Sequence, residues 1–263
     1  MQQDIRNALT SVERLEGGIA IVTMRQAAKR NALSLAMMRE LATRLRDLAG
    51  EPDVRAIVIA GEGPAFCAGH DLSELRGRSA AEYAEIFAAC VDLMNAVHDA
   101  PQPVIAEVAR IATAAGCQLV AACDLAIASS EARFATPGVR IGLFCSTPMV
   151  PLSRAVGRKR ALEMLFTGEP IDAQTARAWG LVNRVVPPDE LRDAVLALAR
   201  RIGEASARVV AIGKRAFYEQ IDGDEAEAYE WTKRVMAANA LEDDAQEGIG
   251  AFLDKRQPRW KGG

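Results

Sequence analysis

Four short, continuous apolar runs rich in Ile and Val constrain the fold of this 263-residue chain more than any other feature. They lie at residues 19–24, 56–60, 104–108 and 125–128. Each run has the length of a strand, and the near absence of interspersed polar residues is typical of strands buried on both faces of a sheet. Because helical patterns separate the runs, we expect an α/β fold.

Apolar residues that recur every three or four positions predict helices between these strands. Ser34 is a candidate N-cap for a helix that continues through Ala49 and ends at the Gly50-Glu51-Pro52 turn. A second helix is predicted before Pro101, with its core face formed by Tyr83, Ile86, Phe87, Cys90, Val91, Met94 and Val97. A third begins near Ala114 or Ala115 and is apolar on all sides, so we expect it to be buried.

Helical patterns dominate the chain after about residue 149. Amphipathic segments are predicted at 159–167, 172–179, 189–204, 207–219 and 224–241, with Asp172 as the N-cap of the second. This region contains too little strand pattern to extend the sheet. We expect it to form a lid, a subunit contact or both.

Charge and sequence pattern exclude several classes of function. The net charge of −3 comes from mixed signs, which argues against a nucleic-acid partner. The first fifteen residues lack an apolar signal segment, and the longest apolar stretch, 119–128, is too short to cross a membrane. The five cysteines contain no CxxC pair and the two histidines have no metal-ligand spacing. We therefore expect a cytoplasmic protein with no membrane segment, no disulfides and no metal.

The glycine-containing segments match no common nucleotide or hydrolase motif. Gly61-Glu62-Gly63 follows a strand but lacks the third glycine of a dinucleotide fingerprint, and neither a P-loop nor a GxSxG string occurs. Two strand-to-turn segments remain, 61–72 and 103–129. The second leads to the start of the buried helix, where unpaired N–H groups favour negative charge. Two such groups converging on one point would form an oxyanion hole.

Strings that carry a family resemblance extend over nearly the whole chain. In order they are KRNALSLAMMREL, IVIAGEGPAFCAGHDLSEL, PQPVIAEVARIATAAGCQLVAACDLAIAS, RFATPGVRIGLFCSTP, RAVGRKRALEMLFTGEPIDAQTARAWGLVNRVVP and GIGAFLDKRQPRW. By this ordered set the chain resembles the crotonase (enoyl-CoA hydratase/isomerase) superfamily. More narrowly, ATAAGCQL, FATPGV and GLFCSTP resemble its enoyl-CoA hydratase domain-containing branch.

The resemblance implies a crotonase (ClpP-like) fold, in which repeated ββα units form a spiral core followed by a helical C-terminal region. It implies a core domain over residues 1–200, a helical trimerisation region over 201–263, and a homotrimer or a hexamer made of two trimers. It also implies an enzyme of lyase or isomerase type acting in fatty acid metabolism on an acyl-CoA thioester. Coenzyme A would then be part of the substrate, with no other cofactor.

Site residues are likewise implied by position. In the family the thioester carbonyl accepts two backbone hydrogen bonds that stabilise an enolate, and the donors here would be the N–H groups of His70 and Ala115. The two glutamates of the hydratases correspond to Gln118 and Gly138, so acid–base help of about 10²–10⁴-fold per group is missing. Isomerases, which keep a carboxylate near the second position, are disfavoured too. Replacing both residues by Glu is expected to raise hydration.

Other residues are implied in binding or left open. Coenzyme A contacts are expected at Lys29, Arg30, Ala32, Ala68, Asp71, Leu72, Phe252 and Lys255. The His70 imidazole, Arg140, Cys145 and Ser146 are further candidates near the acyl group, whose length would depend on the packing of residues 73–100. The alternatives to hydration are thioester hydrolysis, decarboxylation or a non-catalytic acyl-CoA binder or scaffold. Outside the site, Arg110 is expected to pair with Glu107 or to face solvent.

Overall fold

A computed structural model describes residues 8–261 of the chain. Its strands are β1 (Thr10–Leu15), β2 (Ile19–Met24), β3 (Ala56–Gly61), β4 (Ala65–Cys67), β5 (Val104–Val108), β6 (Ile111–Thr113), β7 (Leu125–Ser129), β8 (Arg133–Ala135), β9 (Ile171–Asp172) and β10 (Arg184–Val186). Its α-helices are α1 (Leu35–Ala49), α2 (Ala80–Asp99), α3 (Ala115–Ala122), α4 (Met149–Val156), α5 (Arg158–Thr167), α6 (Ala173–Trp179), α7 (Leu191–Gly203), α8 (Ala207–Gln220), α9 (Glu225–Ala240) and α10 (Asp243–Leu253). Within the described residues, none of these helices is long and apolar enough to span a bilayer.

Repeated strand–strand–helix units build two sheets. The larger has six strands in the order β1-β2-β3-β5-β7-β10, and the smaller has four in the order β4-β6-β8-β9. In the units β3-β4-α2, β5-β6-α3 and β7-β8-α4, the first strand enters the large sheet and the second enters the small one. This arrangement confirms the predicted α/β fold of repeated ββα units.

The central strands are buried because both faces of the large sheet are covered. Along β3, Ile57 and Ile59 face the core that contains α1, α2 and α3. The alternate residues Ala56 and Val58 face α7, which contributes Leu191, Val195 and Ala199 to a second core. A strand whose side chains enter two cores has no polar positions, which explains the continuous apolar runs in the sequence.

Helix starts follow the expected capping chemistry. The Ser34 hydroxyl accepts a hydrogen bond from Met37 N at 3.1 Å, as predicted for α1. Helix α2 begins with a reciprocal capping box between Ser79 and Glu82 that the sequence reasoning missed. Most of the predicted apolar face of α2 is buried, but Val91 was wrongly assigned to the core, since it is 44% exposed.

The expectation that the C-terminal part adds no strand to the sheet is wrong. Strand β10 pairs in parallel with β7 and extends the large sheet, and β9 pairs with β8 in the small one. Both are at most three residues long, so neither shows a periodic pattern in the sequence. Helices α4 and α10 were also not predicted. The division at residue 200, which falls within α7, stays a prediction.

Of the two alternatives expected for Arg110, pairing with Glu107 is wrong, whereas its side chain does face solvent and is 55% exposed. Its guanidinium lies 3.0 Å from Glu131, whereas Glu107 is paired with Arg192 of α7 at 2.9 Å. Residues three apart on an extended chain point to opposite sides, so positions 107 and 110 cannot readily meet. Burial raises the pKa of Glu107, and the charge of Arg192 opposes that shift.

Candidate active site

The candidate site lies where neighbouring strands of the small sheet end. Strand β4 pairs in parallel with β6, and β6 pairs in parallel with β8. The segments that follow them, which carry His70, Ala115 and Gly138, therefore emerge at the same edge of the sheet. The three positions, which the family resemblance had indicated in separate parts of the sequence, therefore lie along one edge.

Close backbone packing fixes the first two of these segments against each other. Thr113 Oγ1 donates a hydrogen bond to the Ala68 carbonyl at 3.1 Å. Gly69 has φ +92°, and a Cβ added there would lie 2.8 Å from the Ala114 Cβ. A Cβ added at Gly116 would overlap the Cys67 carbonyl oxygen. Glycine is thus required at 69 and 116 for the two segments to approach.

Both predicted donor N–H groups are uncommitted. Leu33 N–H donates to the Gly69 carbonyl, and the Leu33 carbonyl accepts from Asp71 N–H. The N–H of His70, which lies between Gly69 and Asp71, takes no part in this pairing. Ala115 is the first residue of α3, so its N–H has no partner within the helix. Among residues 8–261, neither group donates a hydrogen bond. Ala114 adopts φ +49° and ψ −118°, which strains a non-glycine residue at the turn that sets the direction of α3.

The His70 imidazole lies against α2 rather than against an acid or a base. Its ring is 5.6 Å from the Phe87 ring in an edge-on contact. Both ring nitrogens are buried, and neither has a hydrogen-bond partner within the described part of the chain. Burial lowers the pKa of His70, opposed by the Leu33 backbone and the Glu74 charge. Among residues 8–261, no acid or base therefore forms a hydrogen bond with this ring that would prepare it for proton transfer.

Gln118 lies on α3 one turn after Ala115 and is almost fully buried. Its Oε1 is 3.6 Å from the thiol of Cys90 on α2, which donates to it. Burial raises the pKa of Cys90 to about 12, so the thiol keeps its proton near neutral pH. No residue in the range 8–261 forms a hydrogen bond with the Gln118 amide nitrogen.

At Gly138, the space that a glutamate side chain would need is already filled. A Cβ added there would overlap the Leu143 carbonyl oxygen and lie 2.8 Å from Cys145 Sγ. The backbone at Gly138 also accepts a hydrogen bond from Leu143 N at 3.0 Å. A glutamate here would require the Leu143–Cys145 turn to move. The expected gain in hydration from replacing Gln118 and Gly138 together stays a prediction.

The remaining candidates near Gly138 do not form a catalytic cluster. Arg140 is exposed, pairs with Glu169 and donates to the Thr167 carbonyl at 3.1 Å. Ser146 is also exposed and donates only to a neighbouring backbone carbonyl. Cys145 is buried, and burial raises the pKa of its thiol. Within residues 8–261, no three His, Cys, Asp or Glu side chains cluster as metal ligands.

Most of the proposed coenzyme A residues lie next to His70. Lys29 Nζ is 2.8 Å from Asp71 Oδ2, and the Ala68 N–H donates to the Arg30 carbonyl at 3.0 Å. Ala32 is buried in the same segment, and Leu72 is 56% exposed. The structure thus brings together the segments of residues 29–33 and 68–72, with the Lys29 charge partly neutralised by Asp71.

Asn31 holds this binding segment in place and was missed by the sequence reasoning. Its side chain is fully buried, accepts from Gln26 N at 2.9 Å, and donates to the carbonyls of Glu62 and Ala65 at 2.9 and 2.8 Å. Its φ of +53° is tolerated by Asn better than by most residues. The sequence carried no signal for these contacts, because Glu62 and Ala65 lie more than thirty residues away in the chain.

Phe252 and Lys255 are not brought to this segment within one chain. Phe252 is 83% exposed on α10, which packs on α8 and α9. No hydrogen bond, ion pair or ring contact in the described range joins either residue to Lys29, Arg30 or Asp71. A shared site would require a second copy of the chain.

A cavity of about 930 Å³ extends from Gln118 along α2 and α3. Val91 and Met94 of α2 line it beside Gln118, as expected from the 73–100 segment. Helix α8 closes part of it with Phe217 and Tyr218, a contribution that the sequence did not indicate. The cavity is large enough for an acyl group and lies on the same side of α3 as Gln118.

Alkylation of the cysteines gives a direct check on a nucleophilic Cys145. All five cysteines are buried, and burial raises the pKa of every thiol, to about 12 for Cys67, Cys90 and Cys117. Because the thiolate is the reactive form, iodoacetamide is expected to modify the native protein slowly and the denatured protein quickly at all five sites. Intact mass measured over time decides this. Fast modification of Cys145 alone would contradict it.

Comparison with known proteins gives a consistent family. A family model described as enoyl-CoA hydratase/isomerase matches residues 14–263. The human "Enoyl-CoA hydratase domain-containing protein 3, mitochondrial" is 50% identical over 252 residues, which cover 95% of this chain and 83% of that protein.

Solved structures agree with that match. The crystal structure of an enoyl-CoA hydratase from Mycobacterium smegmatis superposes with a TM-score of 0.94 at 49% identity, covering 97% of this chain and 99% of that one. The crystal structure of the human domain-containing protein 3 has a TM-score of 0.93 at 49% identity and covers 96% and 100%.

The expectation of a cytoplasmic protein is contradicted by these relatives. The human protein, and rat and mouse proteins of the same name, are named as mitochondrial. The expectation rested on a missing apolar signal segment. Mitochondrial targeting does not use such a segment, since transit peptides are amphipathic and rich in Arg and Ser.

Proposed function

The chain belongs to the enoyl-CoA hydratase/isomerase family of the crotonase superfamily, and we propose that it binds acyl-CoA thioesters in an oxyanion hole. The thioester oxygen would accept hydrogen bonds from the N–H groups of His70 and Ala115. One observation carries the proposal: these N–H groups are uncommitted, on two segments that are locked together at Gly69 and Gly116.

Backbone donors in this position would stabilise negative charge on the thioester oxygen. An enolate concentrates charge there, and fixed donors need no reorganisation when that charge develops. Loss of one such donor typically costs about 3 kcal/mol of transition-state stabilisation. The start of α3 adds the partial positive charge of a helix N-terminus at Ala115.

The coenzyme A part would lie along the segments of residues 29–33 and 68–72. Arg30 has no ion-pair partner among the described residues and would supply one cation. Lys29 would supply a second by leaving its ion pair with Asp71 and binding a phosphate of coenzyme A instead. Phe252 and Lys255 would contribute from a second copy in a trimer or hexamer. Large apolar side chains that are at least two-thirds exposed on the C-terminal helices support such an assembly: Tyr229, Met236, Leu241, Phe252 and Leu253.

The second candidate function is a site that binds acyl-CoA without hydrating it. The Leu143–Cys145 turn occupies the space beside Gly138, and Gln118 carries no ionisable group. Binding, thioester hydrolysis or decarboxylation remain open to such a site. Each of them uses the oxyanion hole without the missing pair of glutamates.

A glycine substitution tests the proposed oxyanion hole. Gly116→Ala would force the start of α3 away from the Cys67 backbone, so we expect acyl-CoA affinity to fall at least about tenfold, the equivalent of one strong hydrogen bond. Gly213→Ala on α8 is a matched control, because its added Cβ meets nothing within 4 Å. Isothermal titration with butyryl-CoA and with free coenzyme A measures both variants.

The outcomes separate the alternatives. Tight butyryl-CoA binding by the wild type and by Gly213→Ala, with loss in Gly116→Ala, supports the proposal. No binding of either ligand to the wild type would refute it and leave only a structural role for the oligomer. Equal affinity in Gly116→Ala and Gly213→Ala would place the ligand elsewhere.

A further inference from the structure

The side-chain amide of Gln118 is oriented by its neighbour on α2. In the contact at 3.6 Å, the Cys90 thiol donates to the amide oxygen of Gln118. Cys90 is buried and holds its proton, since burial raises its pKa to about 12. The amide nitrogen of Gln118, which has two protons to donate, is left for the cavity that this side chain lines.

The direction of the side chain places this donor close to the proposed thioester position. Long side chains on a helix point back toward its N-terminus and cover the preceding turn. Gln118 is three residues after Ala115, so its amide faces the region just beyond the Ala115 N–H. The cavity that Gln118 lines also reaches Met94 and Val91. An acyl group that entered it from the proposed oxyanion hole would pass the amide with its first carbons.

Two uncharged side chains lie on the α2 side of this donor, and the charged lining residues of the cavity are Asp124, Arg154 and Asp222. The Cys90 thiol is neutral. One turn before Cys90 on α2, Phe87 contacts the imidazole of His70, and burial lowers the pKa of that imidazole and so favours its neutral form. A carboxylate buried among neutral donors loses more hydration energy than these donors return. A ketone oxygen, in contrast, needs only one neutral hydrogen bond.

We propose that Gln118 selects acyl-CoA thioesters with a carbonyl oxygen on carbon 3, the 3-oxoacyl class, by donating a hydrogen bond to that oxygen. Cys90 is the positioning residue that fixes the amide. This inference rests on the proposed acyl-CoA site and names its substrate class. Where hydratases would carry a basic side chain, this chain has the Gln118 amide, a hydrogen-bond donor. The site therefore favours a substrate with an acceptor oxygen on carbon 3.

Matched ligands test the preference. Wild-type protein is expected to bind acetoacetyl-CoA about five- to tenfold more tightly than butyryl-CoA, the size of one net neutral hydrogen bond. Gln118→Leu, of similar volume, should bind the two equally. Malonyl-CoA should bind more weakly than acetoacetyl-CoA. Isothermal titration of each protein with the three ligands measures all of these ratios.

The cysteine variants test the positioning role. Cys90→Ala should reduce the acetoacetyl-to-butyryl ratio about two- to threefold, and Cys90→Ser, which keeps a donor, should retain most of the ratio. Cys123→Ala is the matched control, because it removes a buried thiol that forms no hydrogen bond with the Gln118 side chain among the described residues.

Each outcome has a separate meaning. A wild type that binds butyryl-CoA and acetoacetyl-CoA equally would overturn the inference but not the acyl-CoA site, whereas binding of neither would remove both. A preference that survives in Gln118→Leu, or malonyl-CoA as the tightest ligand, would also overturn it. Unchanged ratios in Cys90→Ala would remove Cys90 from the proposal.

Discussion

Hydration of crotonyl-CoA by the purified wild-type protein is expected to be at least about 10⁴-fold slower than by a family member with both glutamates, because two acid–base groups are missing. The resemblance places those groups at positions 118 and 138. Here Gln118 has no proton to exchange near neutral pH and Gly138 has no side chain. Loss of the enoyl-thioester absorbance with time measures the rate.

The two glutamate variants are not expected to behave alike. Gln118→Glu restores a carboxylate in existing space, and a gain of about 100-fold, the lower end of the range for one such group, is expected. Adding Gly138→Glu should give no further gain and should lower the melting temperature, because the new Cβ would overlap the Leu143 carbonyl. Gly213→Glu is the control for introducing glutamate at a glycine with open space around it.

Two results would contradict this account. A wild-type rate within about tenfold of a two-glutamate hydratase would show that other groups activate water, and Arg140 or Ser146 would need to move inward. A large gain in the double variant, with an unchanged melting temperature, would show that the Leu143–Cys145 turn adapts without cost. Either result can be obtained from purified protein without knowing its natural substrate.

The sequence predicted the parts of this fold that depend on periodicity. The four buried strands and the Ser34 and Asp172 caps follow from apolar patterns and capping chemistry. Short strands such as β9 and β10 were missed because two or three residues cannot establish a period. Their pairing depends on the sheet that is already formed rather than on their own residues.

The environment of the site depends on contacts between residues far apart in the chain. The pairing of Cys90 with Gln118, the hydrogen bonds of Asn31 and the filling of the Gly138 position by residues 143–145 have no local pattern. The family resemblance singled out His70, Ala115 and Gly138, which the structure brings to one edge of the small sheet, but also Phe252 and Lys255, which it does not. It could not indicate whether a missing side chain leaves an open space or a filled one.

Lys214 attaches the helical C-terminal part to the core through a buried ion pair. Its Nζ lies 2.7 Å from Asp124 Oδ2, with 7% and 14% of the two side chains exposed. The same ammonium donates to the carbonyls of Val97 and Gln102 at 2.8 and 3.0 Å. Asp124 also accepts from Tyr218 Oη and Val104 N. Burial lowers the pKa of Lys214, and the Asp124 charge opposes that shift.

Lys214→Met is expected to destabilise the protein by about 3–5 kcal/mol, because it leaves Asp124 buried without its counter-charge. That corresponds to a fall of roughly 10 °C in melting temperature for a chain of this size. Lys233→Met is the matched control: Lys233 pairs with Glu230 at 2.6 Å, but both side chains are more than half exposed, so about 0.5 kcal/mol or less is expected. Thermal unfolding at equal protein concentration compares them. Equal falls in melting temperature in Lys214→Met and Lys233→Met would mean that α8 is held by its apolar contacts alone. If the double variant Lys214→Met/Asp124→Asn regains part of the lost melting temperature, the unpaired Asp124 carboxylate is the cause.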